Sequence, residues 1–198
     1  MRLDLHLALQ PLALAQTPGG ASARSALDPR QLWAAIQADP RWPDWQEGRM
    51  TPPEWHAHLT GRLAITLSFD DFCAAWNRAL DPDTILDERL FADLAARCRL
   101  ALLSNTDPLH AACIDDHFTF GRHFAARIYS CRIGASKPSP EIYEAALASL
   151  GISAREALYI DDIAEYVAAA RALGLDAIHF QNPTDLMIQF AARGLLGA

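Results

Sequence analysis

The chain has 198 residues, a formal net charge of −7, and half of its residues are hydrophobic. That length supports one sizeable core or a core with a small second domain, and the composition is that of a folded chain. The acidic balance argues against nucleic acid or an anionic membrane as partner, and no apolar run is long enough to span a bilayer. Cys73, Cys98, Cys113 and Cys131 form no CxxC pair. That argues against zinc and redox chemistry and predicts buried thiols in a reducing compartment.

Residues 1–15 predict one short strand, Arg2 to Leu9, ahead of Pro11. Leu7 to Ala15 has the Leu- and Ala-rich outline of a signal peptide. Asp4, His6, Gln10 and Pro11 interrupt it, and Arg2 is its whole basic flank, so the chain reads as cytoplasmic. Residues 16–27 are loop by composition. Asp28-Pro29-Arg30-Gln31 then supplies a cap, a proline at the first helical position and a glutamine three after the cap. The helix it opens runs to about Ala38. Thr51-Pro52-Pro53-Glu54 and Ser68-Phe69-Asp70-Asp71 open two more, to about Leu63 and Leu80. Trp33, Trp42, Trp45, Trp55 and Trp76 lie on these helices or their connections. Such a cluster is chiefly packing, with pocket lining as the alternative. His56 and His58 are two apart and face different ways on a helix, which argues against a metal pair.

A helix from about Leu86 to Arg97 leads into Arg99-Leu100-Ala101-Leu102-Leu103-Ser104-Asn105-Thr106. This apolar run stops on three small polar residues and predicts a strand buried on both faces. A helix from about Pro108 to His117 follows, then a strand through Ile128-Tyr129-Ser130 and the loop Gly134-Ala135-Ser136-Lys137-Pro138. Pro140 to Leu150 is helical and closed by Gly151. Ala157 to Ile160 is a strand ending on Asp161-Asp162. Ile163 to Leu173 is helical and closed by Gly174, Ala177 to Phe180 is a strand, and Asn182-Pro183 opens a last helix. This alternation predicts an α/β fold with a doubly wound parallel sheet.

Right-handed crossovers put every strand's carboxyl end on one edge, where open α/β sheets bind ligands. Three stations then share that edge. Asp161 and Asp162 are hard oxygen donors of the kind Mg²⁺ takes. Ser104, Asn105 and backbone N–H groups at a helix start suit phosphate oxygens. Lys137 offsets the carboxylates and the phosphate. A metal and a lysine around one phosphate are what phosphoryl transfer needs, and a first-strand carboxylate would complete it through an aspartyl-phosphate. Taken singly, Ser104-Asn105-Thr106 and Asp161-Asp162 read as helix caps and Lys137-Pro138 as a surface turn.

The chain resembles the haloacid dehalogenase-like (HAD) hydrolases, in the subgroup with a small helical cap inserted after the first strand. Leu102-Leu103-Ser104-Asn105-Thr106 is similar to the family's second motif and Gly134 to Tyr143 to its third. Tyr159-Ile160-Asp161-Asp162, with Ala168 to Gly174, is similar to the fourth. Glu47 to Thr51 and Ser104 to His110 resemble bacterial sugar-phosphate phosphatases of that group. The resemblance implies a Rossmann-like core over residues 1–15 and 84–198, with cap and linkers over 16–83. It implies that Ser104 and Asn105 bind the phosphoryl group and that Lys137 steadies the nucleophile and the phosphate. Asp162 would be the direct Mg²⁺ ligand, and Asp161 would act directly or through water. Asp4 would be the nucleophile and a further metal ligand.

The first motif departs from the family pattern. Only three residues precede Asp4, and His6 stands where the family has an acid or a glycine. Tyr166 stands where the subgroup often has an asparagine. The expected function is a Mg²⁺-dependent phosphatase of small phosphorylated metabolites, of the sugar phosphate class. Two alternatives stay open: an inactive or N-terminally altered member that binds a phosphorylated ligand or partner, and a haloacid dehalogenase. Substrate identity and oligomeric state are not legible.

Overall fold

The computed structural model describes residues 2–3, 5–16, 27–81 and 85–196. In chain order the elements are β1 (Arg2–Leu3), α1 (Leu5–Leu14), α2 (Pro29–Gln37), α3 (Trp42–Gln46), α4 (Pro52–Leu63), α5 (Phe69–Asn77), β2 (Leu80–Asp81) and α6 (Glu88–Ala95). There follow β3 (Ala101–Ser104), α7 (Pro108–His117), β4 (Ala126–Tyr129), α8 (Ser130–Ile133), α9 (Pro140–Leu150), β5 (Leu158–Asp161), α10 (Ala164–Ala172), β6 (Asp176–His179) and α11 (Pro183–Ala192). Two compact units result: Met1–Thr84 with Thr106–Phe118, and Ile85–Asn105 with Thr119–Ala198.

The first unit is mainly helical. The expected strand from Arg2 to Leu9 does not form. β1 holds Arg2–Leu3 and pairs antiparallel with β2, and α1 takes over at Leu5. Leucine and alanine are strong helix formers. Leu9 and Leu12, three apart and both buried, share a helix face that joins the core. Asp4 lies outside the described residues. The helix starts were legible. Asp28 Oδ1 accepts the Gln31 N–H at 2.9 Å while Gln31 Oε1 accepts the Asp28 N–H at 3.1 Å. Thr51 and Glu54 close the same reciprocal box on α4, and Ser68 Oγ caps α5. α5 stops at Asn77, short of the expected Leu80, because Leu80 is drawn into β2.

Trp45, Trp55 and Trp76 are buried, and the rings of Trp45 and Trp55 stack with centroids 5.5 Å apart. They pack with Leu32, Ile36, Leu59 and Phe72, so the tryptophan cluster is core. His56 and His58 diverge as expected: His56 Nε2 meets the Leu67 carbonyl and His58 Nε2 meets Asp39 Oδ2.

A buried charged pair ties α5 to α7. Asp107 caps α7, with Oδ1 accepting the His110 N–H at 3.0 Å, while Oδ2 accepts the indole N–H of Trp76 at 3.0 Å. His110 Nδ1 lies 3.0 Å from that same Oδ2, and His110 Nε2 lies 3.0 Å from the Trp76 carbonyl. Each ring nitrogen therefore faces an oxygen that only accepts, which is the arrangement an imidazolium satisfies. Burial opposes both charges. The Asp107 carboxylate and the hydrogen bonds outweigh burial at His110 and raise its pKa above the ordinary 6.5. The His110 charge and the hydrogen bonds outweigh it at Asp107 and lower its pKa below 3.8.

The second unit is α/β. β3 and β4 pair in parallel from Ala101 opposite Ala126 to Ser104 opposite Tyr129. β5 and β6 pair in parallel from Leu158 opposite Asp176 to Asp161 opposite His179. Side chains alternate between two apolar layers. Tyr159 and Ala177 pack with Ile142, Tyr143, Val167 and Ala170 of α9 and α10. Leu158 and Ile178 pack with Leu94 of α6 and with Leu186 and Phe190 of α11. Helices thus cover both faces of parallel strands, the doubly wound α/β arrangement expected. All four residues of β3 are only partly buried, against the expectation of burial on both faces. Among the described residues β3 has β4 as its one hydrogen-bonded strand neighbour. The cysteines depart from expectation as well. Cys98 is exposed, and Cys73, Cys113 and Cys131 are partly buried. Cys73, Cys113 and Cys131 lie within α5, α7 and α8, and Cys98 lies beyond the end of α6. None of the described helices is long and apolar enough to cross a membrane.

The Asp107–His110 pair gives stability a signed pH dependence. The Asp107 contribution is present above its ordinary pKa and is lost as pH falls through its lowered value. The His110 contribution is complete below its ordinary pKa and is lost as pH rises through its raised value. His110→Asn is expected to destabilise the chain by about 3 kcal/mol at about pH 5.5, because it leaves Asp107 charged and buried. The gap to the parent should narrow toward about pH 9, as the parent's imidazole loses its proton through its raised pKa. Urea unfolding of both proteins at the two pH values checks this.

Candidate active site

Three of the residues singled out from the sequence meet in the second unit. Lys137 lies in the loop after α8, which Gly134 closes in a left-handed conformation at φ 82°. The Lys137 Nζ donates to Asp161 Oδ2 at 2.7 Å and to the Leu103 carbonyl at 3.3 Å. Each of the two charged side chains is 8% exposed. Asp161 ends β5, and both its oxygens are occupied. Oδ2 also accepts the Tyr159 hydroxyl at 2.5 Å, and Oδ1 accepts the Ile163 N–H at 2.9 Å. The capping role read for the acidic pair is not formed: the cap of α10 is Ile163, which carries no side-chain cap hydrogen bond, and Asp161 instead closes a two-residue turn onto the Ile163 N–H.

Asn105 follows β3 and grips the Lys137 backbone. Its Oδ1 accepts the Lys137 N–H at 2.7 Å, and its Nδ2 donates to the Lys137 carbonyl at 2.9 Å and to the Tyr166 hydroxyl at 3.3 Å. Ser104 sits one residue earlier, at the end of β3 opposite Tyr129. Asp162 is exposed, and its backbone carbonyl accepts from His179 Nε2 at 3.0 Å. No hydrogen bond or ion pair to a described residue occupies its carboxylate. Asp4 lies outside the described residues, and His6 belongs to α1.

Three tyrosines surround the pair. The Tyr166 ring centre is 5.0 Å from Lys137 Nζ and the Tyr159 ring centre 6.0 Å. Tyr143 donates its hydroxyl to the Tyr166 carbonyl at 2.9 Å, and its ring meets that of Tyr159 edge-on at 5.4 Å. Burial, then the nearby carboxylates, pushes the Tyr143 hydroxyl up to about 12. Burial and the hydrogen bond to Asp161 push Tyr159 well above the ordinary value. Tyr166 is raised too, by burial first. All three stay protonated near neutrality, so Tyr159 remains a donor to Asp161. Tyr159 and Asp161 are two apart on one strand and share a face, a signal readable from spacing. The contact of Tyr166 with Asn105 spans 61 positions and has no local signal.

The donor set suits a hard cation. Mg²⁺ binds through one or two carboxylates and keeps several waters, and Asp162 with Asp161 offers that number. Among the described residues no group of three or more His, Cys, Asp and Glu side chains forms a closed metal cage.

A profile of haloacid dehalogenase-like hydrolases matches residues 43–174. The chain belongs to the haloacid dehalogenase-like hydrolase family. Among curated relatives, 146 residues are 23% identical to D-ribitol-5-phosphate phosphatase of Bacteroides thetaiotaomicron, covering 71% of each chain. Shorter stretches match bifunctional epoxide hydrolase 2 of Sus scrofa, 38% identical over 56 residues, and Phosphatase MT3486 of Mycobacterium tuberculosis, 47% identical over 45. These cover 28% and 23% of this chain but only 10% and 21% of those proteins. The crystal structure of the HAD family enzyme bt-2542 from Bacteroides thetaiotaomicron shares the fold, with a TM-score of 0.79 at 22% identity over 96% of this chain and 92% of that one.

The Lys137–Asp161 pair should couple strongly, since removing one partner strands a buried charge. A double-mutant cycle with Lys137→Met, Asp161→Asn and the double variant is expected to give a coupling energy of about 2 kcal/mol by urea unfolding. Additive effects would show that the pair is not formed in solution.

Proposed function

We propose that this HAD-like hydrolase is a Mg²⁺-dependent phosphatase of small phosphorylated metabolites, of the sugar phosphate class. The observation that carries the reading is the buried Lys137–Asp161 pair beside an uncommitted, exposed Asp162 carboxylate at a strand's carboxyl end. Two likenesses support it. One relative is a D-ribitol-5-phosphate phosphatase, and the bt-2542 enzyme has been crystallised in complex with magnesium and inorganic phosphate, in a structure of the same fold with a TM-score of 0.78.

In this reading Asp162 holds Mg²⁺ directly and Asp161, whose oxygens already accept three hydrogen bonds, reaches it through water, with Asp4 as a further ligand. The ion supplies charge neutralisation at the phosphate. Lys137 uses two of its three N–H donors within the protein and keeps one for a phosphate oxygen. Ser104 donates its hydroxyl to another. Asp4 attacks phosphorus, the P–O bond to the leaving alcohol breaks, and that oxygen takes up a proton from solvent water. Water then attacks phosphorus, breaks the bond to Asp4 and frees inorganic phosphate. Residues 16–83 act as the cap that excludes water and selects the substrate, and residues 1–15 and 84–198 as the core, in a cytoplasmic enzyme.

One observation favours a second reading, a member that binds phosphorylated ligands without turning them over. β1 is two residues long and its described pairing, with β2, is antiparallel. Phosphate release from p-nitrophenyl phosphate and a panel of sugar phosphates separates the two. The expected result is turnover that needs Mg²⁺, vanishes in Asp4→Asn and needs at least about tenfold more Mg²⁺ in Asp162→Asn. No turnover in the parent would favour the binding reading, and chloride release from a 2-haloacid without Mg²⁺ would favour a dehalogenase.

A further inference from the structure

Asn105 has no side-chain donor left for a ligand. A carboxamide carries two N–H donors and one oxygen acceptor. The two bonds to the Lys137 backbone close a ring in which the Lys137 N–H must face the amide oxygen and the Lys137 carbonyl must face the amide nitrogen. The orientation of the carboxamide follows from its partners alone. The second N–H goes to the Tyr166 hydroxyl.

Tyr166 is itself held on the far side, where its backbone carbonyl accepts the Tyr143 hydroxyl. It touches two stations at once. Its hydroxyl meets Asn105, and its ring lies across Lys137 Nζ at 5.0 Å, close enough for a cation–π attraction. A tyrosine stands here where the sequence resemblance led to an asparagine, so this contact belongs to this chain's own residues.

We propose that Tyr166 is a positioning residue of the candidate site: by taking the second amide proton of Asn105 it locks that side chain onto the Lys137 backbone, and its ring holds the ammonium toward Asp161. Asn105 then acts as a clamp on the Lys137 loop rather than as a side-chain ligand to phosphate. Direct side-chain contact with the phosphoryl group at this edge falls to Ser104 and Lys137. The geometry stands without the phosphatase reading; the effect on turnover rests on it.

Tyr166→Phe tests both parts, since it keeps the ring and removes the hydroxyl. Side-chain amide signals of the ¹⁵N-labelled full chain give the first readout, with the Asn105 pair identified as the one missing in Asn105→Asp. Both Asn105 amide protons are expected to exchange slowly in the parent, and one of them at least about tenfold faster in Tyr166→Phe. Fast exchange in the parent, or an unchanged pair in the variant, overturns the clamp. Steady-state phosphate release gives the second. The kcat is expected to fall by roughly tenfold, the loss that one hydrogen bond supplies, with KM changed by less than about twofold. A freed amide with unchanged kcat overturns the positioning role. An inactive parent overturns the phosphatase reading instead, and the amide exchange still decides the clamp.

Discussion

At the end of β5 a lysine ammonium and an aspartate carboxylate meet almost out of reach of water. Removing two ions from solvent costs several kcal/mol each, and their attraction offsets that only if the remaining lone pairs and protons are also satisfied. The surroundings answer that requirement. The Leu103 carbonyl accepts a second lysine N–H, and the carboxylate accepts further hydrogen bonds from the Tyr159 hydroxyl and the Ile163 N–H. The strand end, the loop after α8 and the start of α10 are thereby brought to one point. Asp161 is ion-paired within the protein, whereas Asp162 beside it is exposed.

The helical unit solves the same problem differently. Asp107 and His110 are buried, yet each polar atom has a partner on α5 or within the cap of α7. The pair joins the end of α5 to the start of α7 through hydrogen bonds with the indole N–H and the carbonyl of Trp76. Around it the tryptophans supply area rather than direction. Trp76 does both: its ring stacks on Phe72 while its N–H serves Asp107.

Much of this was legible because it is local. The caps at Asp28, Thr51 and Ser68 are carried by side chains within three residues of the groups they satisfy, so spacing alone revealed them. The strands ending on Ser104 and Asp161 and the lysine loop were readable as polar stops after apolar runs. The amino terminus was misread because Asp4-Leu5-His6-Leu7 alternates as a strand does, while Leu9 and Leu12 carry the helical period that the packing selects. The cysteines were misread because composition says nothing of which helix face a thiol occupies.

The sequence by itself determined the alternation of strands and helices from Leu86 onward, the family, and the positions of Asn105, Lys137 and Asp161 after their strands, since propensity, capping and motif spacing act over a few residues. Only the tertiary structure decided which atoms are already spent. That Asn105 is committed to Lys137 and Tyr166 and that Asp161 is ion-paired with Lys137 follow from contacts across 24 to 61 positions. Hydrogen bonds at such separation depend on how β3, β5 and α10 pack, and the geometry that makes or breaks them is set by the whole core.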